Sequence, residues 1–147
     1  MTDELRHRTP LQVRFRDTDA FGHVNNAVFF SYIELARIRY FLDVLQPDEP
    51  FERMPLILAR VEFDFRSPIM FDEAVEVETR VDRIGRSSIA MSHRMTADGR
   101  LVGESHSVLV TYDYEIARPM PVPDAWRAKF AAHEGRPLEA EPAVAAG

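Results

Sequence analysis

The stretch from Ala27 to Leu45, AVFFSYIELARIRYFLDVL, holds neither glycine nor proline and is too long for an ordinary strand. As a helix it extends about 28 Å at ~1.5 Å per residue. Only Ser31, Glu34, Arg37, Arg39 and Asp43 interrupt its apolar surface, so other elements have to enclose it. The helix must end at Gln46-Pro-Asp-Glu-Pro50, because proline lacks the needed donor and biases the residue before it away from helical angles.

What encloses the helix follows from a change of period. From Leu56 onward Val61, Phe63 and Phe65 alternate with Glu62, Asp64 and Arg66. Val75, Val77, Thr79 and Val81 then alternate with Glu76, Glu78, Arg80 and Asp82, which predicts strands with one dry face. Ser67-Pro68 and Phe71-Asp72-Glu73 separate the first two strands, and Ile84-Gly85-Arg86 turns into a third containing Ile89, Met91, His93 and Met95. Asp98-Gly99 suits a primed hairpin turn with positive φ at both central positions, leading into a long last strand from about Leu101 to Tyr114. An earlier strand alternates through Leu11, Val13 and Phe15. A short helix is expected from Asp124 to about His133, with Trp126 and Phe130 on one face. The expected class is α+β, an antiparallel sheet curled around one buried helix. Residues 1–133 form the expected domain, and 134–147, rich in Ala, Pro and Glu, the expected disordered tail.

The 147 residues suit one domain. Eighteen basic against 24 acidic residues leave a net charge of −6, a field that repels nucleic acid and anionic lipid. No cysteine is present, which removes disulfides, thiolate catalysis and cysteine-ligated zinc. The start is charged from Asp3 and no apolar run approaches membrane-spanning length. The expectation is a soluble, cytoplasmic protein with no membrane and no nucleic-acid partner.

Between the first strand and the helix lies Asp17-Thr-Asp-Ala-Phe-Gly-His-Val-Asn-Asn26. Gly22 permits a bend, and Asn25 or Asn26 can cap the helix, so unpaired N–H groups at its start come close to an acidic loop. A carboxylate facing oriented donors suits attack on a carbonyl, with the donors holding the developing oxyanion. The plainer alternative is a turn and a cap built from residues that favour both.

This loop, with Tyr32, Glu34, Ala36 and Arg37 on the helix, resembles the hotdog-fold thioesterases of the 4-hydroxybenzoyl-CoA thioesterase type. The resemblance continues through Phe65-Arg-Ser-Pro-Ile69, Arg83-Ile-Gly-Arg-Ser-Ser88 and Arg118-Pro119, over roughly residues 8 to 130. It implies five strands wrapped around the helix, a homodimer or homotetramer with sites between protomers, and hydrolysis of acyl thioesters of coenzyme A or acyl carrier protein. It also implies that Asp19 is the catalytic carboxylate and Asp17 a supporting residue; no cofactor or metal is expected. Asp19 either attacks to form a mixed anhydride or deprotonates a water. A thiolate leaves readily, thiols having a pKa near ~8.5, so one carboxylate and an oxyanion site suffice.

The remaining candidates each have two readings. His23 positions water or substrate, or ties the loop to the helix start. Asn25 and Asn26 contact substrate or serve as caps. Glu34 is a second candidate acid or the partner of Arg37 or Arg60. Arg83 and Arg86 meet the nucleotide phosphates of coenzyme A or form a solvated turn. Ser87 and Ser88 lack a neighbouring histidine and acid, and His93 and His106 lack metal-like spacing. Asp17-x-Asp19-x-x-Gly22 copies the opening of a calcium loop, but Phe21 and Val28 stand where oxygen ligands are needed. The rival classes are a non-catalytic acyl-thioester binding module and a hydratase or dehydratase on the same scaffold.

Overall fold

A computed structural model describes residues 7–139. In chain order it contains β1 (His7–Leu11), a 3-10 turn (Phe15–Asp17), α1 (Asn26–Leu45), a 3-10 turn (Phe51–Arg53), β2 (Leu56–Phe65), β3 (Val75–Ile84), β4 (Ser88–Ala97), β5 (Arg100–Asp113), β6 (Arg118–Pro119) and α2 (Asp124–Glu134). The strand order is β1-β3-β4-β5-β2, antiparallel throughout, and the two-residue β6 joins β5 as a sixth, short strand. Register shifts at Leu58/Arg60, Val81/Arg83 and Met95/Thr96 mark bulges, which bend strands and tighten their twist. The sheet thereby curls around α1, the architecture expected from the change of period. At the β4–β5 hairpin Asp98 and Gly99 have φ of 48° and 82°, as a primed turn requires.

The core lies between the concave face of the sheet and α1. Around the first half of the helix Phe29, Tyr32, Ile33 and Ala36 pack with Val13, Val24, Ile69, Val75, Val77 and Met95. Around the second half Tyr40, Phe41 and Leu45 pack with Val81, Ile84, Ile89, Met91, Leu109 and Phe130. Buried polar groups lie at the same level between the two: Arg37 of α1, Thr79 of β3, His93 of β4, and Ser105 and Ser107 of β5.

Three expectations need correction. The first strand stops at Leu11, and Phe15 points outward at 80% exposure, because the Asp17 carboxylate accepts the Arg14 backbone N–H at 2.9 Å and winds the chain into a 3-10 turn. The helix is not enclosed all round: Phe30 and Leu35 are 39% and 51% exposed, since the sheet covers only its concave side. The start of the expected tail is part of the core. Glu134 accepts Tyr40 Oη–H at 2.5 Å and Val81 N–H at 2.9 Å, Leu138 is buried, and Ile84 N–H donates to the Leu138 carbonyl at 2.7 Å. Composition suggested disorder, but these residues add backbone bonds to β3 and fill the end of the barrel. The rest of that tail, 140–147, lies outside the described residues. No helix among those described is long and apolar enough to cross a membrane.

Candidate active site

The loop between β1 and α1 is a small closed structure. Thr18 and Val24 face each other as a bridge pair, Asp19 N–H donates to the His23 carbonyl at 2.9 Å, and Gly22 N–H donates to the Asp19 carbonyl at 3.0 Å. Gly22 has a φ of +84°, which glycine adopts without a Cβ penalty. The Asn25 N–H returns to the Asp17 carbonyl at 2.9 Å, and Val24 N–H ties the loop to the Ile69 carbonyl at 2.8 Å. Consecutive motif residues therefore end up on one tight turn pinned to the start of α1.

The two aspartates are placed differently. Asp17 is buried, and its carboxylate accepts the Arg14 backbone N–H at 2.9 Å, the Arg14 guanidinium at 3.1 Å and the Tyr32 hydroxyl at 2.8 Å. Burial pushes its carboxyl upward, but the backbone bond from Arg14, the Tyr32 hydroxyl and the Arg14 guanidinium together outweigh this and hold it below the usual carboxylate range. Asp17 is thus a charged post on which the loop is built, and Tyr32 is the partner that sequence reasoning quoted but gave no role. Asp19 is on the tip of the turn with its side chain 26% exposed. Its Oδ1 accepts Phe21 N–H at 2.9 Å and is 3.8 Å from His23 Nδ1. Among the described residues its Oδ2 accepts no hydrogen bond, leaving an oxygen for water or substrate.

A cavity of about 340 Å³ opens beside this turn, lined by His23, Val24, Asn26 and Phe29 on one side and Phe65, Arg66, Ser67 and Pro68 on the other. His23 lines it and is 3.8 Å from Asp19 Oδ1 through Nδ1, whereas Asp19 is not among its lining residues. Asn25 is the N-cap of α1, its Oδ1 accepting Ala27 N–H at 2.9 Å, so its side chain is committed to the helix, whereas Asn26 faces the cavity. The wall from Phe65 to Pro68 comes from the end of β2. Arg66 is 3.6 Å from Asp64 and 3.9 Å from Glu104, in an exposed cluster at the cavity mouth. Its signal in the chain was the Phe65-Arg-Ser-Pro run, which carried the resemblance without suggesting a site role.

Other expected site residues do not join this group. Leu11, at the loop end of β1, pairs with Val75 at the start of β3, while Arg83 and Arg86 are at the opposite end of β3 and the turn after it. Eight residues at ~3.3 Å each separate Val75 from Arg83, or about 26 Å. Within one chain these arginines cannot share the Asp19 cavity. Glu34 is exposed on α1 and borders a different cavity, together with Arg37. Arg60 pairs with Glu62 at 3.3 Å instead of with Glu34. A larger groove of about 570 Å³ between β1 and residues 71–74 includes Glu73, but both Glu73 oxygens are held by Arg100 at 2.8 and 2.9 Å.

Chemically, the arrangement offers a partly exposed carboxylate with one unengaged oxygen, an imidazole at the cavity wall and the amino end of a 20-residue helix. Residues 13–130 match the model of the thioesterase-like superfamily. The fold superposes on a thioesterase from Thermus thermophilus solved with coenzyme A and Zn, with a TM-score of 0.82 and 45% identity over 89% of this chain and 96% of that one. It also superposes on PA2801, a putative thioesterase from Pseudomonas aeruginosa, with a TM-score of 0.76 and 32% identity over 85% and 98% of the two chains. YbgC of Escherichia coli, an acyl-CoA thioester hydrolase, is 25% identical over 84% of this chain and 94% of its own. YsmA of Bacillus subtilis is 30% identical over 83 residues, and the match takes in 56% of each protein. With the strand order and central helix already described, these likenesses mean that the chain belongs to the thioesterase-like superfamily and has its hotdog fold.

Proposed function

We propose that the protein hydrolyses acyl-CoA thioesters to a free acid and a thiol, with Asp19 as the essential carboxylate. The observation that carries this reading is the placement of Asp19 and His23 on one rigid turn beside a cavity at the start of α1. The thioester carbonyl enters the cavity between Asn26 and Phe65, where the Asn26 N–H, the first donor of α1 and not taken by the Asn25 cap, and the positive end of the helix dipole stabilise the oxyanion. Asp19 acts as general base on a water held beside His23. Asp19 is not among the residues that line the cavity, so in this reading a water carries the attack and the carboxylate takes its proton. Oxygen-labelled water in a single turnover then labels only the product acid and never the Asp19 carboxylate.

The named activity of YbgC and the coenzyme A bound by the Thermus thermophilus thioesterase support coenzyme A as the carrier, in preference to acyl carrier protein. Arg66, at the cavity mouth, is placed to meet its phosphates. Phe29 and Phe65 favour an apolar or aromatic acyl group of the kind that 4-hydroxybenzoyl-CoA thioesterases take. The protein works as a homodimer: β2 is an unpaired edge with Leu58 and Phe65 exposed on it and Phe30 exposed beside it, and pairing with a second copy covers all three. A monomer by light scattering at micromolar concentration contradicts this.

The decisive experiment is free-thiol release from a panel of acyl-CoA thioesters of varied length and aromaticity, with Asp19→Asn as the blank. Turnover is expected to fall by about three orders of magnitude or more in the variant, with unchanged unfolding. Undiminished hydrolysis removes Asp19 from the mechanism. Thioester consumed without release of thiol favours a hydratase, and binding without turnover favours a carrier module.

A further inference from the structure

Residues 66–74 join the end of β2 to the start of β3, two strands that are not neighbours in the sheet. β5 and β4 lie between them, so the segment spans three strand spacings, about 14 Å at ~4.8 Å each. β2 ends opposite Gly103 and β3 starts opposite Ala97, which takes the segment past the β4–β5 hairpin. Arg100, the first residue of β5, holds it there. Its Nε donates to Ser67 Oγ at 3.0 Å, its Nη2 to the Pro68 carbonyl at 2.8 Å, and Nη1 and Nη2 to the two Glu73 oxygens at 2.8 and 2.9 Å. Glu73 also accepts the Met70 N–H at 2.7 Å. The Arg100 hydrogen bonds, with that backbone bond, outweigh burial and hold the Glu73 carboxyl below the usual carboxylate range.

The residues that Arg100 grips serve the Asp19 cavity in two ways. Ser67 and Pro68 are part of its wall. Met70 faces His23 as a bridge pair, and the Ile69 carbonyl accepts the Val24 N–H at 2.8 Å, so the same segment is the backbone partner of the turn that carries His23. Arg100 itself lines neither this cavity nor the groove beside β1. Its reach to the imidazole is indirect, through Glu73 and Met70 on one side and Pro68 and Ile69 on the other. A planar fork fixes the angle between its acceptors as well as their distance, which a single point charge does not.

We propose that Arg100, braced by Glu73, is a positioning residue for the hydrolysis: it sets where the Ser67–Pro68 wall and the His23 imidazole stand relative to each other across the Asp19 cavity. The inference rests on the reading of that cavity as the active site. A displacement of about 1 Å in such a wall costs up to about a hundredfold in rate, because the reacting groups lose their alignment. The fork therefore acts on turnover more than on substrate affinity.

The test measures thiol release from one acyl-CoA by the full chain as wild type, Arg100→Ala, Arg100→Lys and Glu73→Gln. Arg100→Ala is expected to lower kcat about ten- to hundredfold with KM within about threefold. Arg100→Lys stays within about threefold of Arg100→Ala, because an ammonium cannot serve Ser67, Pro68 and Glu73 together. Arg100 is partly exposed, so added ethylguanidinium reaches the gap in Arg100→Ala and raises its kcat at least threefold without affecting wild type. Two readouts need no turnover: the His23 Cε1–H resonance shifts in Arg100→Ala, and the Val24 amide exchanges at least tenfold faster while the amides of β4 keep their wild-type rates. Should Arg100→Ala fold poorly, Glu73→Gln carries the same test, since it breaks the fork and still leaves an oxygen for the Met70 N–H. Wild-type kcat in the folded variants overturns the proposal, as does an unmoved His23 signal with Val24 exchange quickened only as much as that of β4. Full turnover by Asp19→Asn instead removes the reading of the active site, and the His23 and Val24 signals then still decide whether Arg100 holds the wall.

Discussion

Gly103 of β5 sets the shape of the candidate acyl pocket by having no side chain. It pairs with Phe65 of β2, and a Cβ built there lies 2.4 Å from both Cε1 and Cζ of Phe63 and 3.4 Å from the Asp64 carbonyl oxygen. Carbon atoms pack best at ~3.5–4.0 Å, so Gly103→Ala forces the Phe63 ring to retreat by more than about 1 Å. The ring has little room, because its centroid is 4.7 Å from that of Phe65, 5.5 Å from Phe29 and 5.6 Å from Phe30. Overpacking of this kind costs about 1–3 kcal/mol. The gain from stiffening the unfolded chain offsets about 0.4–1 kcal/mol. The expected net loss is about 0–2.6 kcal/mol, read as a lower urea midpoint at unchanged m-value.

A double-mutant cycle isolates the cause. Phe63→Ala alone destabilises by removing a partly buried ring, but in that background Gly103→Ala becomes neutral or slightly stabilising, a coupling of about 1–3 kcal/mol. A coupling within about 0.5 kcal/mol of zero refutes the argument that Phe63 occupies the space of the missing side chain. Phe65 lines the Asp19 cavity and touches Phe63, so Gly103→Ala should also shift the acyl-CoA preference toward smaller groups in the thiol-release panel.

Tyr32→Phe removes a hydrogen bond to the Asp17 carboxylate and should cost about 1.5–3 kcal/mol at pH 7. The folded carboxyl of Asp17 lies below its unfolded value near ~3.9, so its contribution is fully present above that value and is lost as pH falls through the folded pKa. The gap between wild type and Tyr32→Phe should therefore narrow in urea melts taken from pH 5 downward, and a gap that widens reverses the assignment. Leu138→Ala should cost about 2–5 kcal/mol in the same assay, the figure for a buried leucine, whereas a disordered tail predicts no change.

What could be read in the chain was local, and what could not was made by pairing. The helix from Asn26 to Leu45 stands one residue from the expected start at Ala27, because an unbroken apolar run, an asparagine cap and a Pro47 stop all act within a turn of their own position. The same holds for Asp19 and His23, four residues apart on one glycine-permitted turn. Arg83 and Arg86 were read as contacts to nucleotide phosphates or as a solvated turn, and only the antiparallel register of β1 on β3 shows that within one chain they sit at the other end of the sheet from Asp19.

The second wall of the cavity arrives from β2 through its pairing with β5, forty residues after the loop it faces, and no periodicity encodes that meeting. Arg37 carries the point furthest. In the sequence it is one of five polar interruptions on an apolar helix, best read as a partner for Glu34. In the fold three strands bring a hydroxyl, an imidazole and a second hydroxyl beneath it, none of them charged. A helix of this pattern could have been enclosed equally well with leucine at that position, and only the pairing of β3, β4 and β5 brings the hydroxyls and the imidazole together beneath the guanidinium.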